Sequence, residues 1–159
     1  MSRLCGRHKS FDSEGIQNLS QNKIGMNNQS ILCPCGNANK EYTDCCARYL
    51  NGREDAATAE ALMRSRYTAY TFENEGYLLS TWHPSTRPDS LKLADGPHKK
   101  WLGLRVIRHE QTGKDHSVVE FVARYKVGGR AHRLHEISRF VREGGRWLYV
   151  DGETSPAAG

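Results

Sequence analysis

Four of the chain's five cysteines fall close together, as Cys33, Cys35, Cys45 and Cys46. This cluster constrains the fold more than any other feature, because it requires two short segments to meet at one point. Thiolates bind zinc in a tetrahedron at about 2.3 Å, and two ligands from each of two segments satisfy that geometry. Pro34 stiffens the turn inside the first pair, and Gly36 lets the backbone curl so that N–H groups face sulfur. Cys45 and Cys46 are adjacent, so a strand would point them to opposite sides. At the first turn of a helix they diverge by about 100° and both reach one ion. The run CCARYL reads as such a helix. Disulfides and free thiols are the alternatives. No apolar stretch of signal-peptide length lies near the start, which weakens the disulfide reading, and no CxxC redox pair is present. The expectation is one zinc on Cys33, Cys35, Cys45 and Cys46, with Cys46 the ligand least dictated by spacing. Four thiolates leave no open position for water, so this zinc is expected to be structural. Cys5 stands apart and reads as an incidental thiol.

The pattern changes on either side of the cluster. Residues 1–30 are rich in Ser, Asn, Gln and Gly, with apolar positions too sparse for a stripe. They read as a disordered tail, with a short helix near 14–24 the one candidate element. Residues 31–52 form a compact unit closed by the stop signal Asn51-Gly52. Residues 55–73 read as a helix capped by Asp55 or Thr58. Its Ala59, Leu62, Met63, Arg66, Ala69 and Tyr70 recur every three or four positions, which predicts one core-facing stripe. A second short helix is expected near 74–80, with Trp82 at its end, before His83-Pro84 and Arg87-Pro88 enforce a loop.

From Lys100 to Asp151 the apolar period drops to two. Four strands are expected near 101–111, 116–127, 130–142 and 146–151, joined through Gly113, Gly128-Gly129 and Gly144-Gly145. Alternating segments separated by such short turns make an antiparallel meander. In the second strand Val119, Phe121, Ala123 and Tyr125 share one face, which is apolar enough to pack on a helix. Helices followed by a meander predict an α+β class. The expected division is a tail over 1–30, a zinc unit over 31–52, an α+β domain over 53–152 and a tail over 153–159.

The formal net charge is +5, and residues 99–146 hold twelve Lys and Arg against five Asp and Glu. Such an excess attracts phosphate. No run of five basic residues occurs there, so a solvated sheet surface is the favoured reading over a nucleic-acid site. No apolar run reaches 18 residues, and a cytoplasmic protein without a membrane span is expected.

The run CPCGNANKEYTDCC resembles the SEC-C motif, the cysteine-rich zinc module at the C-terminus of the SecA translocase and in several unrelated proteins. That motif reads CPCGSGKKYKxC followed by His or Cys. Here nine residues rather than eight separate Cys35 from Cys45, Asn37 and Asn39 replace Ser and Lys, and the second glycine is absent. The resemblance widens further along. ATAEALMRSRYTAYTFENEGYLLSTWHPSTRP, VVEFVARY, LHEISRF and RWLYVDG are together similar to the YchJ family of SEC-C proteins, over residues 31–152. This resemblance implies a SEC-C module followed by a nuclear-transport-factor-2-like, cystatin-like cone of helices packed on a curved antiparallel sheet. It also suggests contact between the zinc module and a protein or the ribosome. It implies no particular activity.

A cone of that kind leaves a cavity at its open end. Arg66 lies on the apolar stripe of the long helix, and a buried guanidinium must find partners. Glu136, Glu120 and Asp151 are the candidates for an ion pair locking helix to sheet. The competing role is the floor of an anion-binding pocket, where Arg offers a bidentate fork. Arg64, about 200° round the helix, is expected to face solvent. Trp82, His83 and Arg87 form a second constellation, offering a ring to close a pocket, a group titrating near neutrality and an anion site. The bland reading is a packed ring and a proline-shaped loop. Tyr70 completes the candidate pocket. His135 and Glu136 are adjacent on a strand, face opposite sides, and cannot work as one acid–base pair.

No nucleophile elbow, phosphate loop, zinc-protease helix or dinucleotide glycine pattern occurs, so no catalytic residue is assigned. Two functions compete: an intracellular interaction or adaptor protein built on a structural zinc, and a small-molecule binder or enzyme using the cone. A hollow cone with His83 or Tyr70 at its floor favours the second, and a filled cone favours the first.

Overall fold

The computed structural model describes residues 30–156. The readings placed on residues 1–29, including Cys5 and the short helix near 14–24, lie outside the described residues.

Glycine turns set the register of the sheet. Gly128 and Gly129 have φ of 54° and 79°, and Gly144 and Gly145 have 57° and 79°. That left-handed pair is what a two-residue hairpin requires, and other side chains are strained there. The strands they join are β1 (Lys100–Gly113), β2 (His116–Val127), β3 (Arg130–Glu143) and β4 (Arg146–Ser155), antiparallel in the order β1-β2-β3-β4. Irregularities at Trp101/Gly103, Val106/Arg108 and Gln111/Gly113 in β1, and at Arg139/Phe140 in β3, bend the sheet. Its concave face carries Val119, Phe121, Ala123 and Phe140, all buried. β4 runs four residues beyond the expected 151. β3 is long enough to pair His135 with Ser155, so Glu153 to Ser155 belong to the ladder rather than to a tail.

The helices are α1 (Ala47–Leu50), α2 (Ala59–Thr71) and α3 (Glu75–Ser80); α2 packs on that face, and α1 and α3 pack on α2. α2 starts later than the expected residue 55, because Thr58 is the cap, its Oγ1 accepting from Ala61 N at 3.1 Å. Asp55 pairs instead with Arg146 at 3.0 Å. The expected single stripe is also too modest. Ala59, Leu62, Met63, Ser65, Arg66, Tyr67, Thr68 and Ala69 are all buried, which takes in most of the helix circumference.

The segment before α1 explains this. Leu32 bridges Glu41, Cys33 N donates to Lys40 O at 2.8 Å and Tyr42 N to Ile31 O at 2.8 Å, closing a small hairpin. Two short 3-10 turns, Asn37–Asn39 and Tyr42–Asp44, lead into α1. Gly36, with φ of 68°, makes the turn after the first cysteine pair. All four cysteines share one buried cluster with Ala59, Leu62 and Tyr67 of α2. The cysteine hairpin meets Arg64 and Thr68 on the outer flank of α2, with Gly36 beside Leu104 of β1. Finally, residues 81–83 clip to the edge of β4: Tyr149 N donates to Thr81 O at 2.8 Å, and His83 N to Tyr149 O at 2.7 Å.

Candidate functional site

The cysteine site is assembled from both ends of the hairpin. Cys33 and Cys35 flank Pro34, Cys45 ends the second 3-10 turn, and Cys46 is the N-cap of α1. The adjacent pair thus converges because a turn meets a helix between them. Cys35 Sγ lies 3.6 Å from Cys45 Sγ, which lies 3.9 Å from Cys46 Sγ. All four sulfurs lie within 4.8 Å of one another. Sulfurs placed at about 2.3 Å around one centre stand about 3.8 Å apart, so this is the spacing of a tetrahedral ligand shell. It is far longer than a disulfide.

The thiols perturb one another strongly. Hydrogen bonds from Cys35 and Cys46 hold Cys33 well below the usual thiol range. The same contact with Cys33 pushes Cys35 up to about 12, and pushes Cys46 upward as well. One thiolate is favoured and its neighbours resist ionising. A divalent cation removes that conflict. The group can therefore hold a metal ion.

Arg64 ties this site to α2, and it is not the solvated side chain expected. Its Nη1 donates to the Cys35 carbonyl at 3.1 Å, and its Nη2 pairs with Glu60 at 2.9 Å, leaving the side chain 18% exposed. The reason is the hairpin packed on the outer side of the helix. Cys33 Sγ also contacts Thr68 Oγ1 at 3.7 Å, and the Tyr42 ring meets Phe72 edge-on at 5.0 Å.

On the other side of α2 the cone is hollow. A cavity of about 410 Å³ is walled by six aromatic rings, Tyr67, Tyr70, Trp101, Phe121, Phe140 and Tyr149, with Arg66, Glu136 and Ser138 at its polar end. Arg66 is 4% exposed. Its Nη1 donates to Leu78 O and to Thr81 Oγ1, both at 2.7 Å. Its Cζ lies over the Tyr149 ring at 4.5 Å and the Trp82 ring at 5.0 Å. The expected ion pair is not formed, since no carboxylate lies within pairing distance of Arg66 among the described residues. Glu120 is engaged by His135 at 2.8 Å on the outer face, and Asp151 by Arg139 at 2.6 Å. The end of α3 and two rings take the place of a carboxylate. Burial pulls the Arg66 pKa down from its ordinary value, against the opposing pull of Tyr70, Tyr149, Tyr77 and Glu136.

Glu136 also faces the cavity, as do the exposed Glu73, Lys92 and Lys99, where sequence reasoning counted only Arg66. Its Oε1 accepts from Ser138 Oγ at 2.7 Å and from Tyr149 Oη at 3.3 Å. A β-carbon on Gly152 would overlap this carboxyl group, so the glycine makes the space in which Glu136 lies. Burial, then the nearby Glu136 carboxylate, push the Tyr149 phenol up, and burial raises Tyr70. Both stay neutral hydrogen-bonding groups at neutral pH.

Of the residues singled out for a pocket, Arg66, Tyr70 and Glu136 line this cavity. Trp82 backs Arg66 without lining it. His83 and Arg87 lie outside: His83 Nε2 bonds Glu143 at 3.0 Å and Nδ1 meets Ser85 Oγ at 2.6 Å, while Arg87 is exposed. Trp82 bridges Tyr149 of β4, and Thr81 and Trp82 both reach Arg66, whereas His83 turns to Glu143. Ser138 and Phe140 were recoverable from the strand period, as Glu136 +2 and +4. Tyr149 and Gly152 were not, because the bulge at Arg139/Phe140 shifts their register.

The fold and cysteine site define a SEC-C-type knuckle docked on a nuclear-transport-factor-2-like cone. Residues 58–152 match the family described as YchJ, middle NTF2-like domain. A UPF0225 protein of Ralstonia nicotianae is 56% identical over 134 residues, covering 78% of this chain and 92% of that protein. A UPF0225 protein of Cupriavidus metallidurans is 58% identical over 127 residues, covering 76% and 87%. The solution structure of a SEC-C motif containing protein from Rhodopseudomonas palustris superposes with a TM-score of 0.66 at 33% identity, covering 79% of this chain and all of that one. A crystal structure of a SEC-C motif containing protein from Psychrobacter arcticus gives 0.66 at 29% identity, covering 82% and 85%. The chain belongs to the YchJ family, UPF0225.

Arg64→Ala is expected to cost about 1–2 kcal/mol, since it removes charge-assisted bonds at a part-buried site. Urea denaturation measures it, and a cost below about 0.5 kcal/mol, the surface level, would show that the Cys35 contact contributes nothing.

Proposed function

We propose that this protein binds a small, largely aromatic molecule in its cone, and that a structural zinc on Cys33, Cys35, Cys45 and Cys46 fixes the wall of that cone. The observation that carries the reading is the open cavity of about 410 Å³ with a buried Arg66 at its end. Such a space is of the size that encloses small ligands. A core that only needed stability would be filled to native density, and an unfilled one loses packing energy. Among the described residues no helix is long and apolar enough to cross a membrane.

For the metal, the four buried sulfurs and their spacing support a closed thiolate shell without a site for substrate water. When bound, zinc neutralises the thiolates and joins the hairpin to the first turn of α1. Arg64 and Thr68 then hold that unit on α2. Protein purified without chelator is expected to carry one zinc per chain by elemental analysis. Chelation is expected to lower Tm by more than about 5 °C. Metal-free protein of unchanged Tm would overturn the zinc assignment.

For the cone, titration with indole followed by amide NMR is expected to shift Tyr70, Trp101 and Phe121. Shifts confined to the outer sheet face would count against the reading.

A second role has one observation behind it. Ile31 and Leu32, beside the first cysteines, are 54% and 62% exposed, which suits contact of the knuckle with a protein or the ribosome. Ile31→Ser with Leu32→Ser is expected to abolish co-sedimentation with ribosomes at unchanged Tm. Equal co-sedimentation would remove the ribosome as the partner of that surface.

A further inference from the structure

Five charged residues line the cavity: Glu73, Lys92 and Lys99 are exposed, while Arg66 and Glu136 lie deeper and do not meet. Arg66 spends only Nη1 on the protein; among the described residues nothing accepts from Nε or Nη2. Those two atoms are not sealed away either, since among the described residues the only buried side-chain nitrogen or oxygen without a partner is Arg48 Nε. In a residue 4% exposed that lines this cavity, the free Nε–Nη2 edge opens onto it. That edge is the side-on fork that binds a carboxylate with two parallel hydrogen bonds. The Trp82 and Tyr149 rings, perpendicular to each other, flank the guanidinium and, with the two Nη1 bonds, restrict its orientation.

Glu136 shows the same pattern with the opposite sign. Oε1 is engaged by Ser138 and Tyr149, while Oε2 has no partner among the described residues. No ion pair joins Glu136 to Arg66, although both line one cavity. A buried guanidinium with an unanswered edge is costly, and the cost falls when one ligand answers it together with the half-buried Glu136. A dianionic phosphate is disfavoured by Glu136, and a purely apolar ligand would leave both charges unanswered. The rest of the wall is aromatic and aliphatic, with Glu73, Lys92 and Lys99 exposed at its margin.

We infer that the ligand is a small aromatic zwitterion of amino-acid type, its carboxylate on the Nε–Nη2 edge of Arg66 and its ammonium on Glu136. This rests on the reading of the cone as a ligand site. The ring system lies among Tyr67, Tyr70, Trp101 and Phe121, between the charged end and the loop carrying Leu91 and Leu93.

Four probes that share one ring test it on the full-length protein: indole, indole-3-propionate, tryptamine and L-tryptophan, titrated by calorimetry. L-Tryptophan is expected to bind at least about tenfold more tightly than each of the other three, as each charge-assisted contact contributes. Glu136→Gln keeps the shape and an acceptor for Ser138 and Tyr149. It is expected to weaken L-tryptophan about tenfold and to leave indole-3-propionate unweakened. Arg66→Lys keeps the charge without the fork and is expected to weaken both carboxylates while sparing tryptamine. If indole binds and L-tryptophan binds no better, the zwitterion assignment fails and the ligand cavity stands. If indole-3-propionate binds most tightly, the site is one for a simple anion and the assignment fails. If none of the four binds, the reading of the cone falls, and the assignment with it.

Discussion

Helix α2 is held from two sides, and each side makes a different demand on it. Toward the sheet it presents Met63, Arg66, Tyr67 and Tyr70 to a cavity; toward the cysteine hairpin it presents Arg64 and Thr68. A helix buried nearly all round has lost its solvent face, so it depends on tertiary packing rather than on its own propensity. Side chains such as Leu62, at 2% exposure, contribute about 1.5–3 kcal/mol each by leaving water. The hairpin cannot form a core alone, and the cone would expose one flank of α2 without it. The two parts of the chain therefore stabilise one another through a single helix.

The cysteine cluster and the cavity lie on opposite sides of this helix, and that arrangement couples the two without contact between them. A metal held by the cysteines would fix Cys35, whose carbonyl anchors Arg64. Arg64 and Arg66 stand two residues apart on one rigid element. Fixing the outer flank of α2 thus fixes the direction in which Arg66 projects. The guanidinium is then oriented a second time by the end of α3 and by the strip at Thr81–His83 clipped to β4. Preorganisation of that kind is what a buried fork needs, because a mobile guanidinium would lose ordering entropy on binding.

The basic outer surface follows a separate logic. Arg108 and His135 both engage Glu120, Arg139 pairs with Asp151, and Arg142 with Asp115. Among the described residues, four of the twelve basic side chains of 99–146 are paired, all on a solvated face where such pairs contribute little individually. Arg66, inside the cone, is instead desolvated and held by a carbonyl and a hydroxyl.

Local physics made much of this legible in the chain alone. Period-two alternation and glycine pairs located four strands and their order, because hairpin turns and strand faces are decided by near neighbours. The cysteine spacing located the cluster, since two ligand pairs joined by a short loop have few ways to miss each other. The strings shared with the YchJ family supplied the class of fold. Other features lay beyond local reach. That Arg64 is tied down, and that Arg66 pairs with a carbonyl, a hydroxyl and two rings in place of a carboxylate, depends on segments 12 to 83 residues away in the chain. The separation of Trp82 from His83 was set by a bridge to β4, and the position of Glu136 by a missing β-carbon at Gly152. A sequence determines which elements form when neighbours suffice. Which charges meet, and which are left facing an open cavity, is decided only when those elements pack.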